Sequence, residues 1–435
     1  VRTNSRTWAV VAGTASLALG LAACGSGDAG DGDSSGGTAE GGDVTLTVAT
    51  FNEFGYDELL EEYESLNPNV TIEHKRAATS DEARDNLNTR LAAGSGLSDI
   101  EAVEMDWLPE LRQYADRFVD LEDPEVEGRW FDWKEAPARS EDGTLFAYGT
   151  DTGPEAVCYR SDLFAKAGLP TDRAEVATLL EGDWDRYFEV GKQFHDATGI
   201  PWYDSAAATY QGMVNQLESA YEDPETGEPI PLEENEQVKE LFETVLTAST
   251  TDDLSAHFQQ WQPDWREAFQ SDGFATMLCP GWMLGIIAGN AEGVEGWDVA
   301  DVFPGGGGNW GGSYLTVPEQ GENIEAAKAL AKWLTAPEQQ VKAFLSKGTF
   351  PSQVDAQDDE ELLASTHEFF NDAPWGEILV NRAAAIDVTP FKGAAWFPIH
   401  QTIVDGMTRV DVARTDDIDS SWEKSLQAYS ELGLS

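Results

Sequence analysis

The chain has 435 residues, more than one compact core usually holds, so two domains are expected. Its 80 acidic side chains against 27 Lys and Arg give a formal net charge of -53. Such a surface repels nucleic-acid phosphates and anionic lipid head groups, which excludes nucleic acid as a partner and suits a salt-screened habitat.

The N-terminal segment reads as an address. Arg2 and Arg6 precede an uncharged apolar stretch from Trp8 to Ala23, too short to span a bilayer, so residues 1–23 read as a secretory signal peptide. The ending Leu21-Ala22-Ala23-Cys24 resembles the bacterial lipobox, which implies that Cys24 is lipidated and becomes the new N-terminus. A retained helix with a chance Cys is the alternative. Residues 24–43 are rich in Gly, Ser and Asp; with almost nothing apolar to offset ordering entropy, they read as a flexible tether. The membrane is then touched only through the lipid. Cys158 and Cys279 remain, an even pair in an oxidising compartment, so a disulfide between them is expected, with two buried thiols as the alternative.

Val44–Ala49 alternates and predicts a first strand that runs out at Thr50-Phe51-Asn52-Glu53. A helix over 56–66, a strand over 70–74, a helix over 80–93, a strand over 98–103 and a helix over 108–118 follow, a spacing that predicts a parallel α/β sheet. Strands over 146–151 and 156–160 flank Thr152-Gly153-Pro154. Helices near 161–167 and 183–196 and a mostly helical section over 210–270 lead to a strand at 274–279 and a helix from Gly281. Strands at 299–303 and 314–317 bracket a Gly-rich loop, and helices at 323–335, 337–346 and 421–432 follow, the last after a Trp- and Pro-containing tail.

Several familiar chemistries find no support. Gly305-Gly306-Gly307-Gly308 is followed by neither Gly-Lys-Ser/Thr nor a helix, so it is no phosphate loop. The five His are scattered without metal-ligand spacing, and no Gly-x-Ser-x-Gly elbow occurs. No cofactor is called for. A pair of carboxylates in an aromatic cleft would serve an exported glycoside-processing enzyme, the rival reading.

Taken together, Tyr159-Arg160-Ser161-Asp162-Leu163-Phe164 with Ala167-Gly168-Leu169-Pro170, Phe274–Met277 leading to Pro280-Gly281-Trp282, and Gly311–Tyr314 leading to Lys332-Trp333-Leu334 and Ala336-Pro337-Glu338 resemble the extracellular solute-binding proteins of carbohydrate ABC importers. The resemblance covers nearly all of the chain after the tether. It implies an α/β, two-lobe periplasmic-binding-protein-like fold, with hinge-connected lobes and an interlobe ligand cleft. Lobe one would be 43–150 plus 297–348 and lobe two 153–290 plus 350–435. It further implies a monomer that captures a carbohydrate, most readily a di- or oligosaccharide, and hands it to the membrane permease subunits of an ABC importer. Iron carriers of this architecture use adjacent tyrosines, and only Tyr159 stands in that neighbourhood.

Sugar recognition needs flat aromatic faces for ring C–H groups and planar polar groups for hydroxyls. The chain carries 15 Trp, and three sit beside Gly or Pro in expected turns: Trp282 where the family places a stacking aromatic, Trp310 in the Gly-rich loop, and Trp396 before Pro398. Asn52 and Glu53 follow the first strand and Asp106 the third, where the family supplies polar groups; Asp151 sits at a proposed crossing and Asp204 in the loop after Tyr203. The bland alternative for each Trp is a core side chain, and for each acid a solvated surface.

Overall fold

The computed structural model describes residues 42–434; the expected signal peptide, Cys24 and nearly all of the tether lie outside the described residues. The strands, numbered in chain order, are β1 (Val44–Phe51), β2 (Val70–Ala77), β3 (Ile100–Glu104), β4 (Tyr148–Gly149), β5 (Asp151–Thr152), β6 (Glu155–Arg160), β7 (Thr276–Pro280), β8 (Trp297–Ala300), β9 (Ser313–Thr316) and β10 (Phe350–Pro351).

The first lobe forms around a sheet of order β2-β1-β3-β9-β4. Alternation in β1 turns Leu46 and Val48 into the core while Thr45 faces solvent. The helix Asp57–Leu66 returns the chain to β2 and buries Leu59, Leu60 and Tyr63. The helix Ser80–Ala93 leads into β3; Thr79 caps it by accepting the Glu82 N–H at 3.2 Å, and Gly94 ends it at φ 67°. β1 is parallel to both neighbours, as the strand–helix alternation predicts, but β9 joins β3 antiparallel and β4 joins β9 antiparallel. The sheet is therefore mixed. β9 enters from a distant part of the chain rather than through a strand–helix–strand crossover, so nothing forces it parallel.

The second lobe holds a three-stranded antiparallel sheet, β7-β6-β8, so residues 297–300, expected in lobe one, pair instead with β6 in lobe two. Central β6 divides two cores by alternation. Val157 and Tyr159 join Phe164, Trp202, Phe242 and Ile403 on one face. Ala156 and Cys158 join Cys279, Met283, Trp297 and Trp375 on the other. The Cys158–Cys279 disulfide crosses between β6 and β7 within that second core, with Cα atoms 5.7 Å apart.

Between the sheets, the expected strand over 146–151 is interrupted: β4 ends at Gly149, and β5 turns away to pair antiparallel with β10, Thr152 opposite Phe350. β8 covers 297–300 instead of 299–303, and the long helical section of 210–270 is three helices, Ala206–Val214, Glu236–Thr250 and Pro263–Ala268, separated by loops. The tail contains two helices that were not anticipated, Trp375–Ala384 and Trp396–Asp411. Pro374 and Pro398 mask them as loop, yet Pro is tolerated at and just inside a helix start, where the backbone N–H has no partner to lose.

Candidate functional site

The ends of several elements meet around a cavity of about 240 Å³. Asn52, just beyond β1, takes φ 46°, a left-handed conformation that Asn tolerates, and lines the wall with Glu53. Glu53 receives Arg76 at 2.9 Å and lies 3.8 Å from Lys347. Glu104 and Asp106 stand at the end of β3. The Asp106 N–H donates to Glu104 Oε2 at 2.8 Å, the Gln211 amide reaches Asp106 Oδ2 at 3.4 Å, and Lys392 closes on Asp106 Oδ1 from the tail.

Asp151, in β5, is 6% exposed and accepts from the Thr150 hydroxyl at 2.8 Å and the Ser313 N–H at 2.9 Å through the same oxygen, Oδ1. The Gly-rich stretch makes this approach possible: Gly312 sits at φ 109°, and a Cβ there would lie 2.6 Å from the Asp151 carbonyl oxygen. Across β5, a Cβ on Gly153 would lie 1.9 Å from the Trp310 carbonyl. That packing holds Trp310 against the wall.

Three partly exposed indoles complete the cavity: Trp261, Trp282 and Trp310. Trp282 is the second residue of the helix Gly281–Asn290, so Pro280-Gly281 delivers it straight from β7. Its Nε1–H donates to the Trp310 carbonyl at 2.9 Å. Trp261 lies nearly parallel to it, 6.1 Å away at 22°, and Trp310 nearly perpendicular, 5.5 Å away at 84°.

Burial pushes Glu104 well above the usual carboxylate range, with Asp106 adding repulsion and Lys392 and Lys134 opposing. It raises Asp151 too, against the pull of Lys134. Lys134 is pushed down to about 8 by burial; it donates to the Asp151 carbonyl at 2.7 Å and lies 3.8 Å over the Tyr314 ring. His400 is pushed down to about 4, again chiefly by burial, and stacks on Trp396 at 4.6 Å.

Of the residues singled out from sequence, Asn52, Glu53, Asp106, Asp151, Trp282 and Trp310 line this one cavity. Asp204 and Trp396 do not. Asp204, 2% exposed, accepts the Trp265 indole N–H and the Gln260 amide, both at 2.8 Å, and burial raises it to about 6. Trp396, 1% exposed, is turned into the core by the helix it begins, between His400 and the Lys392 ammonium 4.1 Å away. Sequence reasoning passed over Trp261, Glu104 and Gln211. For Trp261 a signal existed: a lone Trp among Gln residues before Pro263. Its φ of 72° is uncommon for a bulky residue. Met105, Thr152 and Asn309, the chain neighbours of Asp106, Asp151 and Trp310, line a separate cavity beside Phe131 and Trp133.

A family model of bacterial extracellular solute-binding proteins matches residues 58–371. The chain belongs to that family. Membership places it outside the cytoplasm, in a family of binding proteins rather than enzymes. A crystal structure of an extracellular solute-binding protein of family 1 is 49% identical, with a TM-score of 0.78, and the match covers 89% of this chain and 99% of that one. An arabinooligosaccharide-binding protein of Bacillus subtilis strain 168 is 25% identical over 340 residues, 74% of this chain and 76% of that protein. The same two-lobe fold recurs at 18% identity and a TM-score of 0.77 in the ABC transporter-associated binding protein of B. animalis subsp. lactis Bl-04, crystallised with β-1,6-galactobiose, over 89% of this chain and 97% of that one.

Proposed function

We propose that this solute-binding protein captures a saccharide, a di- or oligosaccharide above all, in the cavity lined by Trp282 and delivers it unchanged to an ABC importer. The observation that carries the reading is the pairing of three indole faces with planar polar groups, Asn52, Asp106, Gln211 and Asp151, on one wall system. The arabinooligosaccharide-binding relative and the galactobiose-bound neighbour support the substrate class. Two lobes, 43–150 with 313–348 and 153–300 with 350–435, close on the sugar about the β5–β10 crossing; the second is taken to 300 because β8 pairs with β6. The protein works as a monomer, held to the membrane by lipid on Cys24.

Binding and turnover are separable by experiment. Titration calorimetry of the purified protein against mono- and oligosaccharides should find one site per chain for at least one of them. Chromatography of that saccharide after prolonged incubation should return it intact. Absence of binding across the panel contradicts the sugar reading; fragments released over many turnovers favour the glycoside-processing enzyme instead.

A further inference from the structure

Resting on the saccharide reading above, we propose that the cavity prefers a saccharide carrying a protonated amine to its neutral counterpart, and rejects one carrying a carboxylate. Apart from His400, the ionisable side chains on the wall are all acids: Glu53, Asp81, Glu104, Asp106 and Asp151, with neither Lys nor Arg among the lining residues. Glu53 is met from behind by Arg76. Deeper in, three wall carboxyls, Glu104, Asp106 and Asp151, share two ammonium groups, Lys134 and Lys392. The latter also faces the buried Glu155, whose carboxyl burial keeps raised; both ammonium groups are committed. Lys392 binds Asp106 and the Asn215 side chain, while Lys134 binds the Asp151 carbonyl beneath the Tyr314 ring.

Buried charges are paired or neutralised, so a cluster one cation short carries an unmet partner. Two oxygens display it. Asp151 Oδ1 takes both of that side chain's hydrogen bonds, leaving Oδ2 without one on the cavity wall. Glu104 Oε2 takes the Asp106 N–H, and Oε1 accepts nothing. Around Glu104 stand Asp106, Lys392, Lys134 and Tyr314; burial, with repulsion from Asp106, leaves its carboxyl raised against the pull of the two ammonium groups.

An ammonium on the ligand would be the missing third cation. On binding, the Glu104 carboxyl loses its proton to solvent and the carboxylate accepts the ammonium N–H. Trp282 and Trp310 line the same cavity, and an indole face attracts the same charge. A uronate would instead face five acids with no donor cation on the wall.

The test is calorimetry with six probes: cellobiose and β-1,6-galactobiose, each also with an amine in place of the non-reducing 2-hydroxyl and with the non-reducing C6 oxidised to a carboxylate. The amine form should bind about tenfold or more tightly than its neutral parent, as a charge-assisted hydrogen bond allows, and the carboxylate form should give no heat. Repeating the titration in buffers of different ionisation enthalpy should show proton release with the amine form only. Glu104→Gln, which cannot ionise, should bring the amine and neutral affinities together and abolish that release. A neutral or carboxylate form that binds as tightly as the amine overturns the preference while leaving the saccharide reading intact. Binding by none of the six also overturns the preference, and the wider saccharide panel then decides the saccharide reading by itself.

Discussion

Replacing Trp282 by alanine is expected to weaken saccharide binding roughly thirtyfold or more, because removing an aromatic anchor from a desolvated pocket costs on the order of 2 kcal/mol. The indole stands at the head of its helix, between Trp261 and Trp310, only partly buried against the edge of one core. Truncation also strands the Trp310 carbonyl, which loses its 2.9 Å hydrogen bond. Trp282→Phe keeps a flat ring and should keep part of the affinity, although it too gives up that bond. Without ligand, the melting temperature of Trp282→Ala should fall little, since a partly exposed side chain leaves no enclosed void. Calorimetry and thermal unfolding of both variants decide the matter. Wild-type affinity in the alanine variant would remove Trp282 from the site, and loss of folding would make it a core residue.

Removing the Cys158–Cys279 bond, by Cys158→Ala together with Cys279→Ala, is expected to destabilise the protein by up to about 5 kcal/mol. The bond joins residues 121 apart, so its loss frees a long loop in the unfolded chain. In the folded state it lies inside one core of one lobe, on strands already paired in register, so the crossing at β5 and β10 is left free. Denaturant unfolding should show a clear drop in midpoint, while saccharide affinity well below the melting temperature stays close to that of the parent. A midpoint unchanged from the parent would mean that strand pairing alone accounts for the stability of this sheet.

The parts of the fold legible in the sequence were those fixed by local pattern. The alternation of β1 and the strand–helix rhythm through β3 gave the parallel part of the first sheet. They also located the strand ends, where Asn52, Glu53 and Asp106 stand. The Pro-Gly turn gave Trp282, since a strand feeding directly into a helix leaves the second helical residue at the edge between them. What local pattern cannot carry is direction. Trp396 and Trp310 both stand in stretches of small residues, yet one is the first residue of a helix and turns inward to stack on His400, while the other stays in a loop on the cavity wall. Asp204 reads as a loop acid, and its burial depends on Trp265, sixty-one residues away in sequence. Glu104 ends β3 unremarked, and its raised carboxyl comes from burial and from Asp106, against Lys392 and Lys134 drawn in from two distant segments. The antiparallel second sheet followed the same logic: its strands come from three separated stretches, so their relative direction is a matter of tertiary pairing.

The central claim is that the cavity bounded by Trp282, Asp106 and Asp151 is where the saccharide sits. A crystal structure of the protein with the tightest-binding oligosaccharide of the calorimetric panel tests it most directly. The account predicts a sugar ring laid on the Trp282 indole, with its hydroxyls on the side chains of Asn52, Asp106 and Asp151. Sugar density in the separate cavity beside Trp133, or on the outer surface with the Trp282 cavity left to solvent, would contradict it.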